Sequence, residues 1–236
     1  MNYTSRPYTG KHDYLAMRSL LQAAYAINGP LVYATPGGID WRRALRENPR
    51  DWSFLRLWWD EKDELGGFAW LGSGHVDLFS HPTRRRVEAD MLAWSEQQRC
   101  ELPPGPDGRR TWRAWALTSD SSRQTLLGRN GYARAADGYA CFSYALESEA
   151  PSTPLPEGFT IRPAAGKDEW KARVELHRQA FESSRFTAAQ YRAARGGPSY
   201  RADLDLVAAA PDGTLAAFCI LWYDEANRVG EFAPVG

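Results

Sequence analysis

YTSRPYTGKHDYLAMRSLLQAAY, residues 3–25, aligns without a gap with FTIRPAAGKDEWKARVELHRQAF, residues 159–181. Eight of the 23 positions are identical, where chance gives about one or two. The matches are Thr4/Thr160, Arg6/Arg162, Pro7/Pro163, Gly10/Gly166, Lys11/Lys167, Ala16/Ala172, Leu20/Leu176 and Ala24/Ala180. Tyr3/Phe159, Asp13/Glu169, Tyr14/Trp170 and Tyr25/Phe181 keep size and chemistry. The chain is a duplication, so each copy can be read as one structural unit.

Each copy opens with a short strand halted by Arg-Pro, because proline supplies no N–H to a ladder or a helix interior. A polar turn follows, then a helix with apolar residues at helical spacing, expected over 12–27 and 168–183. A second helix is expected in each copy, capped by Asp40 before WRRALREN and by Thr187 before AAQYRAARG. FLRLWWDEKDELGGFAWLG (54–72) and LDLVAAAPDGTLAAFCILWYD (204–224) then read as hairpins around acidic turns. Copy one continues with strand 75–79, helix 84–99, strand 110–118, helix 121–130 and strand 139–146. SEAPSTPLPEG (148–158) separates the copies, since its prolines continue neither strand nor helix. The expected domains are 1–148, a linker over 149–157, and 158–236. The last of these is about half the length of the first, and its GEFAPVG (230–236) matches the strand of copy one that holds Asp77.

Composition narrows the functional classes. Lys+Arg and Asp+Glu are both 29, so no global field favours nucleic acid or an anionic membrane. The basic, aromatic-flanked RRALREN and Arg109/Arg110/Arg113 read as solvated faces. The 30 aromatic residues predict aromatic cores, and Trp58, Trp59, Phe68 and Trp70 read as packing residues rather than as an acceptor pocket. Cys100, Cys141 and Cys219 form no C-x-x-C pair and sit in or beside apolar runs, which predicts reduced, buried thiols in a cytoplasmic protein. The polar start MNYTSRPYTGKHD has no apolar h-region. The longest apolar run, 215–223, is far short of the roughly 20 residues a membrane helix needs. His12, His75, His81 and His177 show no metal-site spacing, so no metal is expected.

The order strand, two helices, three meandering strands, helix, strand, helix, strand resembles the GNAT acetyltransferase superfamily. FTIRPAAGKDEW resembles the opening of such a domain, SHPTRRR (80–86) its entry to the cofactor helix, and LLGRNGYARAADGYACFSYAL its last helix and hairpin. The resemblance implies an α/β fold: a mixed, mostly antiparallel sheet flanked by helices, complete in the N-terminal domain and about half present in the second. It implies transfer of an acetyl group from acetyl-CoA to the amine of a small-molecule or peptide acceptor.

In that family the pantetheine pairs with the end of the fourth strand, and the pyrophosphate sits on backbone N–H groups of a Gly-rich turn opening a helix. Unpaired N–H groups and the helix dipole favour an anion there. The implied cofactor-binding positions in copy one are Phe79, Ser80, Arg84, Arg85, Arg86, Val87 and Ala89. Val87 and Ala89 stand where glycines are expected, so the stretch reads either as an arginine-assisted phosphate site or as a solvated basic helix start. Leu127 stands where a tyrosine acid is common, and an apolar side chain donates no proton. Asp120 replaces a frequent asparagine. The implied bases are Glu231 and its counterpart Asp77. Two alternatives stay open: a non-catalytic ligand-binding or regulatory module, and a fragment of a longer active tandem protein. An open sheet edge in the second copy predicts a homodimer.

Overall fold

The computed structural model describes residues 2–46, 52–98, 108, 111–147, 152–182 and 184–236. Cys100, Arg109, Arg110 and linker residues 149–151 lie outside the described residues. Contacts divide the chain into two compact units: Met1–Ala34 with Arg50–Ser143, and Thr35–Pro49 with Tyr144–Gly236.

In the first unit, β1 (Thr4–Pro7) stops at its proline, and Gly10, at a φ of 147°, turns the chain into α1 (Lys11–Asn28). Arg6 grips Asp13 with two nitrogens at 2.6 and 2.7 Å, and the Thr9 amide donates to the same carboxylate at 2.7 Å. These bonds tie the helix start to the strand end. Helical spacing places Tyr14, Met17, Leu20, Leu21 and Ala24 on one buried stripe. The sheet follows with β2 (Leu55–Trp59), β3 (Leu65–Gly72), β4 (His75–Ser80) and a two-residue β5 (Arg113–Ala114), in the order β1-β2-β3-β4-β5. Every pair is antiparallel except β4 with β5.

The next two helices here are α3 (Val87–Gln98) and α4 (Ser121–Arg129). Trp58, Val76, Leu78, Val87, Met91, Leu92 and Leu127 form one buried apolar cluster. A Cβ on Gly67 would lie 2.8 Å from the Met91 sulfur and 2.9 Å from the Phe79 carbonyl oxygen. Only glycine lets α3 approach β3 so closely. The expected Gly-aromatic stop of α4 is present: Gly131 takes a φ of 80° and the Tyr132 amide donates back to Leu127 at 3.1 Å.

The second unit repeats the opening with β6 (Thr160–Pro163), a 3-10 turn at Lys167–Glu169 and α5 (Trp170–Ala180). Helix α6 (Ala188–Arg195) starts with a capping box between Thr187 and Gln190. Strands β7 (Asp205–Ala209), β8 (Leu215–Asp224) and β9 (Val229–Val235) complete an antiparallel sheet in the order β6-β7-β8-β9. Both hairpins carry a register shift one residue before their first strand ends, at Trp58/Trp59 and at Ala208/Ala209.

The structure departs from the sequence reading in five places. The helix that belongs to the second unit's contacts, α2 (Pro36–Ala44), comes from copy one, so contact units and sequence copies divide differently at residues 35–49. It starts at Thr35, whose hydroxyl accepts from the Gly38 amide at 3.1 Å, with Pro36 in the first turn. Asp40 caps nothing: it is buried and accepts from the Ser199 amide at 3.0 Å. Residues 139–146 form no strand, and Tyr139, Phe142 and Leu146 are exposed. Alternation alone makes no strand without a ladder partner, and β5, expected over 110–118, spans only Arg113–Ala114. Cys141 is exposed rather than buried, and Cys219 is half-buried.

Candidate functional site

In the first unit, β4 and β5 pair only at His75/Arg113 and Val76/Ala114. From Asp77 to Ser80, β4 has no rung on β5, which leaves a gap between them beside the end of the fourth strand. A cavity of about 310 Å³ opens there, lined by Tyr33, Phe79, Ser80, Arg85, Asp120 and Arg123 among others.

The residues singled out in the sequence divide sharply in what they do around this gap. Phe79 is buried and stacks on Phe68 with ring centroids 4.6 Å apart. Arg84 pairs with Asp60 at 3.4 Å and with Glu64. Arg85 donates to Glu88 at 2.8 and 3.0 Å and to both oxygens of Asp120 at 2.8 Å. Ser80 donates to Glu88, Arg86 and Ala89 are exposed, and Val87 lies fully in the core. Asp77 is buried, 3.6 Å from the His75 imidazole.

A diphosphate needs free N–H groups in the turn before α3. The turn uses several of its own: Thr83 donates to the His81 ring at 3.3 Å, Arg84 to the His81 carbonyl at 2.8 Å, Val87 to Arg84 at 3.3 Å and Glu88 to Arg85 at 3.0 Å. Two of its three arginines already hold carboxylates. These residues do not fit a bound diphosphate.

Sequence reasoning missed the partners that create this situation. Glu88 is buried and accepts from Arg85, Ser80 and the fully buried Arg123, whose nitrogens lie at 2.9 and 3.2 Å. Burial works to raise the Glu88 pKa, yet the guanidinium bonds hold it below the ordinary glutamate value. Burial likewise opposes ionisation of Asp120, while Arg85, the Arg123 amide and Tyr33 hold it at about 2. The Tyr33 phenol donates to Asp120 at 2.7 Å, accepts from the Leu117 amide at 3.1 Å, and burial pushes it up to about 12. Its ring lies 3.8 Å from the Arg123 guanidinium. The i,i+3 spacing of Arg85 and Glu88 was legible; Asp120, Arg123 and Tyr33 come from distant segments.

In the second unit, Glu231 lies on β9 opposite Trp222. The Thr35 hydroxyl at the start of α2 donates to its carboxylate. The Trp222 indole donates to the Ala233 carbonyl, and a Cβ on Gly37 would lie 2.2 Å from the Trp222 Cβ. Glycine at that position brings the helix start onto the strand. Phe68/Phe218, Trp70/Ile220 and, by continuation, Gly72/Trp222 occupy equivalent rungs of the two hairpins. Because His75 faces Gly72, the rung of Glu231 corresponds to His75 rather than to Asp77, with a further register shift on β8 between Cys219 and Leu221.

Beside this strand lies a cavity of about 530 Å³ walled by Trp41, His177, Phe181, Phe186, Ala233 and Pro234 among others. Burial and the nearby Arg173 charge hold the His177 imidazole down at about 4, so it is neutral at pH 7. Its Nδ1 lies 3.1 Å from the Ser184 hydroxyl. Among the described residues no group of three His, Cys, Asp or Glu could hold a metal, and no helix is long and apolar enough to cross a membrane.

No protein-family model matches the chain. A mycothiol acetyltransferase of Salinispora arenicola is 34% identical over 189 residues, covering 73% of this chain and 58% of that protein. A mycothiol acetyltransferase of Kineococcus radiotolerans is 30% identical over 213 residues, covering 81% of this chain and 65% of that protein. The chain thus spans roughly three-fifths of the length of these curated relatives. A GCN5-related N-acetyltransferase from Sphaerobacter thermophilus superposes over 99% of this chain and 75% of its own, with a TM-score of 0.57 at 18% identity, which is a likeness of fold. The strand and helix order, the β4/β5 gap and these relatives together make the chain a member of the GNAT N-acetyltransferase superfamily.

Proposed function

We propose that the protein transfers an acetyl group from acetyl-CoA to the amine of a small-molecule or peptide acceptor, with Glu231 receiving the amine's proton. The observation that carries this reading is the pairing of Glu231 with the Thr35 hydroxyl at the junction of α2 and β9. One hydroxyl bond orients the carboxylate and leaves its other oxygen available to an incoming amine. Acetyl-CoA, when bound, supplies the thioester carbonyl that the amine attacks. The outer edge of β9, without a strand partner among the described residues, offers backbone amides to a pantetheine chain. Thr35 holds the half-buried carboxylate. The names of the relatives make a mycothiol-type amine the first acceptor to test.

The remaining parts of the proposal are a cytoplasmic location, supported by the unpaired thiols of Cys141 and Cys219, and a homodimer, supported by exposed Phe232 and Val235 on β9. A monomer in light scattering at high concentration would remove the dimer. The competing reading is a module that binds ligand without chemistry, or a fragment of a longer active protein. It is favoured by Leu127, which sits in the apolar cluster of the first unit where an acid is expected.

The deciding experiment follows release of the CoA thiol with a panel of amines. Glu231→Gln is expected to lower kcat by about 10²–10⁴-fold, the usual range for a lost general base. Unchanged turnover in that variant would end the assignment of Glu231. No turnover in the unaltered chain, with a thermal shift by acetyl-CoA, would favour the binding module.

A further inference from the structure

We infer that Glu88 and Asp120 are built-in anions that take the place of a bound diphosphate in the first unit, so that this unit props open its own β4/β5 gap and leaves acyl-CoA unbound. The inference stands apart from the chemistry of Glu231, which lies in the other unit.

A diphosphate at this place would have to satisfy cations beside the turn before α3 and the start of α4. The cations are present, as Arg85 and Arg123, and both already have carboxylate partners. Arg85 reaches Asp120 from one side and Glu88 from the other. Arg123 reaches Glu88 through two nitrogens at 2.9 and 3.2 Å. Asp120 is also the N-cap of α4, accepting from the Arg123 amide at 3.0 Å. It therefore occupies the positive end of the very helix that would otherwise attract an external anion.

The same bonds span the gap. Ser80, at the end of β4, and Arg85, in the turn before α3, both join Glu88. Arg85 continues to Asp120 at the start of α4, and Tyr33, just after α1, closes the set. The end of β4 and the start of α4, which follows β5 in the chain, are held at a set separation by two carboxylates that share Arg85, with Arg123 on Glu88. An external phosphate would have to displace the buried Glu88 carboxylate or the half-buried Asp120, which holds Arg85 through both oxygens, and would leave that carboxylate unpaired.

The test is a gain of binding. Hydrogen exchange of the full chain is followed with millimolar inorganic pyrophosphate, and separately with CoA. The unaltered protein is expected to show no ligand protection over 80–88 and 117–123. Glu88→Gln with Asp120→Asn keeps shape and, with asparagine, a competent N-cap. Freed of carboxylates, the two arginines are expected to bind pyrophosphate at least about tenfold more tightly, with protection confined to those segments. Asp120→Asn alone, which disturbs the buried Glu88 less, is expected to move in the same direction by a smaller factor. Protection of these segments by CoA or pyrophosphate in the unaltered protein would overturn the inference. So would a folded double variant that gains no pyrophosphate protection. CoA protection over 229–236 without protection over 80–88 would agree with it.

Discussion

The two units open on the same device and then diverge at their centres. Arg6 clasps Asp13 and Arg162 clasps Glu169 across the same seven-residue interval, each carboxylate also accepting an amide four residues before it. The hairpins share their register and their bulge. Yet where the first unit buries Met17 and Leu55, the second buries Arg173 on the matching turn of α5 and Asp205 on the matching rung of β7. The Arg173–Asp205 approach is 3.5 Å, and among the described residues no nitrogen of Arg173 reaches hydrogen-bond geometry. Asp205 is instead held by the hydroxyls of Tyr191 and Tyr200 at 2.5 and 2.9 Å, while Arg173 lies 3.7 Å from the Phe218 ring. Burial lowers the Arg173 pKa from its ordinary value. The comparison teaches that the backbone frame of this fold is set by the strand-end clasp and the hairpin, which leave the chemistry of the layer between helix and sheet free to change.

The strongest way to break that comparison is to remove one member of the buried pair. Asp205→Leu is expected to cost the second unit about 3–5 kcal/mol, because it leaves Arg173 buried without its carboxylate, and Arg173→Met less, because Arg195 at 3.7 Å still faces Asp205. The double change, which writes the first unit's residues into the second, is expected to recover most of that loss. Denaturant melts followed by residue-resolved hydrogen exchange measure both. A double variant as unstable as either single one would show that the two layers are not interchangeable.

Acid sharpens the contrast between the units. His177 is kept neutral in the folded protein, with a pKa of about 4, against an unfolded value near 6.5. The unfolded chain therefore binds more protons between those values, and the second unit loses stability as pH falls from about 6.5 to 4, by about 2–3 kcal/mol in all. In the first unit burial also lowers His81, and the groups held lowest are the carboxylates Asp13 and Asp120, each at about 2. Burial opposes ionisation of Asp13, and the bonds from Arg6 and Thr9 outweigh it. Their contribution is fully present above the unfolded pKa near 4 and is lost as pH falls toward 2. Unit-resolved exchange against pH is expected to show the second unit softening first. His177→Gln is expected to flatten its slope above pH 4.

The smallest effect distinguishes the two clasps. Asp13 is fully buried, while the Glu169 side chain keeps 15% of its exposure. Asp13→Ala is expected to cost about 2 kcal/mol through loss of the charge-assisted bonds that Arg6 and Thr9 make to a buried carboxylate. Glu169→Ala is expected to cost under about 1 kcal/mol, the range of an exposed pair. Equal losses in thermal melts would show that burial does not separate the clasps.

Much of this architecture was readable in one dimension. The gapless match of residues 3–25 and 159–181 marked the two strand-and-helix openings, β1 with α1 and β6 with α5, and helical spacing located both helices within a few residues. Arg-Pro marked both strand ends, and alternation around acidic turns marked both hairpins. Each of these signals is local, so a short window of residues is enough to carry it. The candidate base Glu231 was also visible as a carboxylate on the strand after the second hairpin. Its partner was not, because Thr35 lies far away in the chain, in a helix start whose two glycines give little helical signal.

The misplacements share one cause. Asp40 looks like a cap, but the buried Ser199 amide is the donor it meets. Residues 139–146 alternate like a strand, but pairing needs a neighbour that β5 is too short to supply. The arginines of SHPTRRR advertise an anion site, but Glu88 and Asp120 reach them first.

Local order in this protein, its duplicated strand, helix and hairpin plan, follows from residue spacing, since a periodic face or a proline acts on its immediate neighbours. Which charges end up satisfied, which carboxylate is left to work and which copy a helix packs with depended on side chains brought together from remote segments. Such pairings exist only once the chain has folded, because burial, and with it the strength of each charge and hydrogen bond, is a property of the assembled layers.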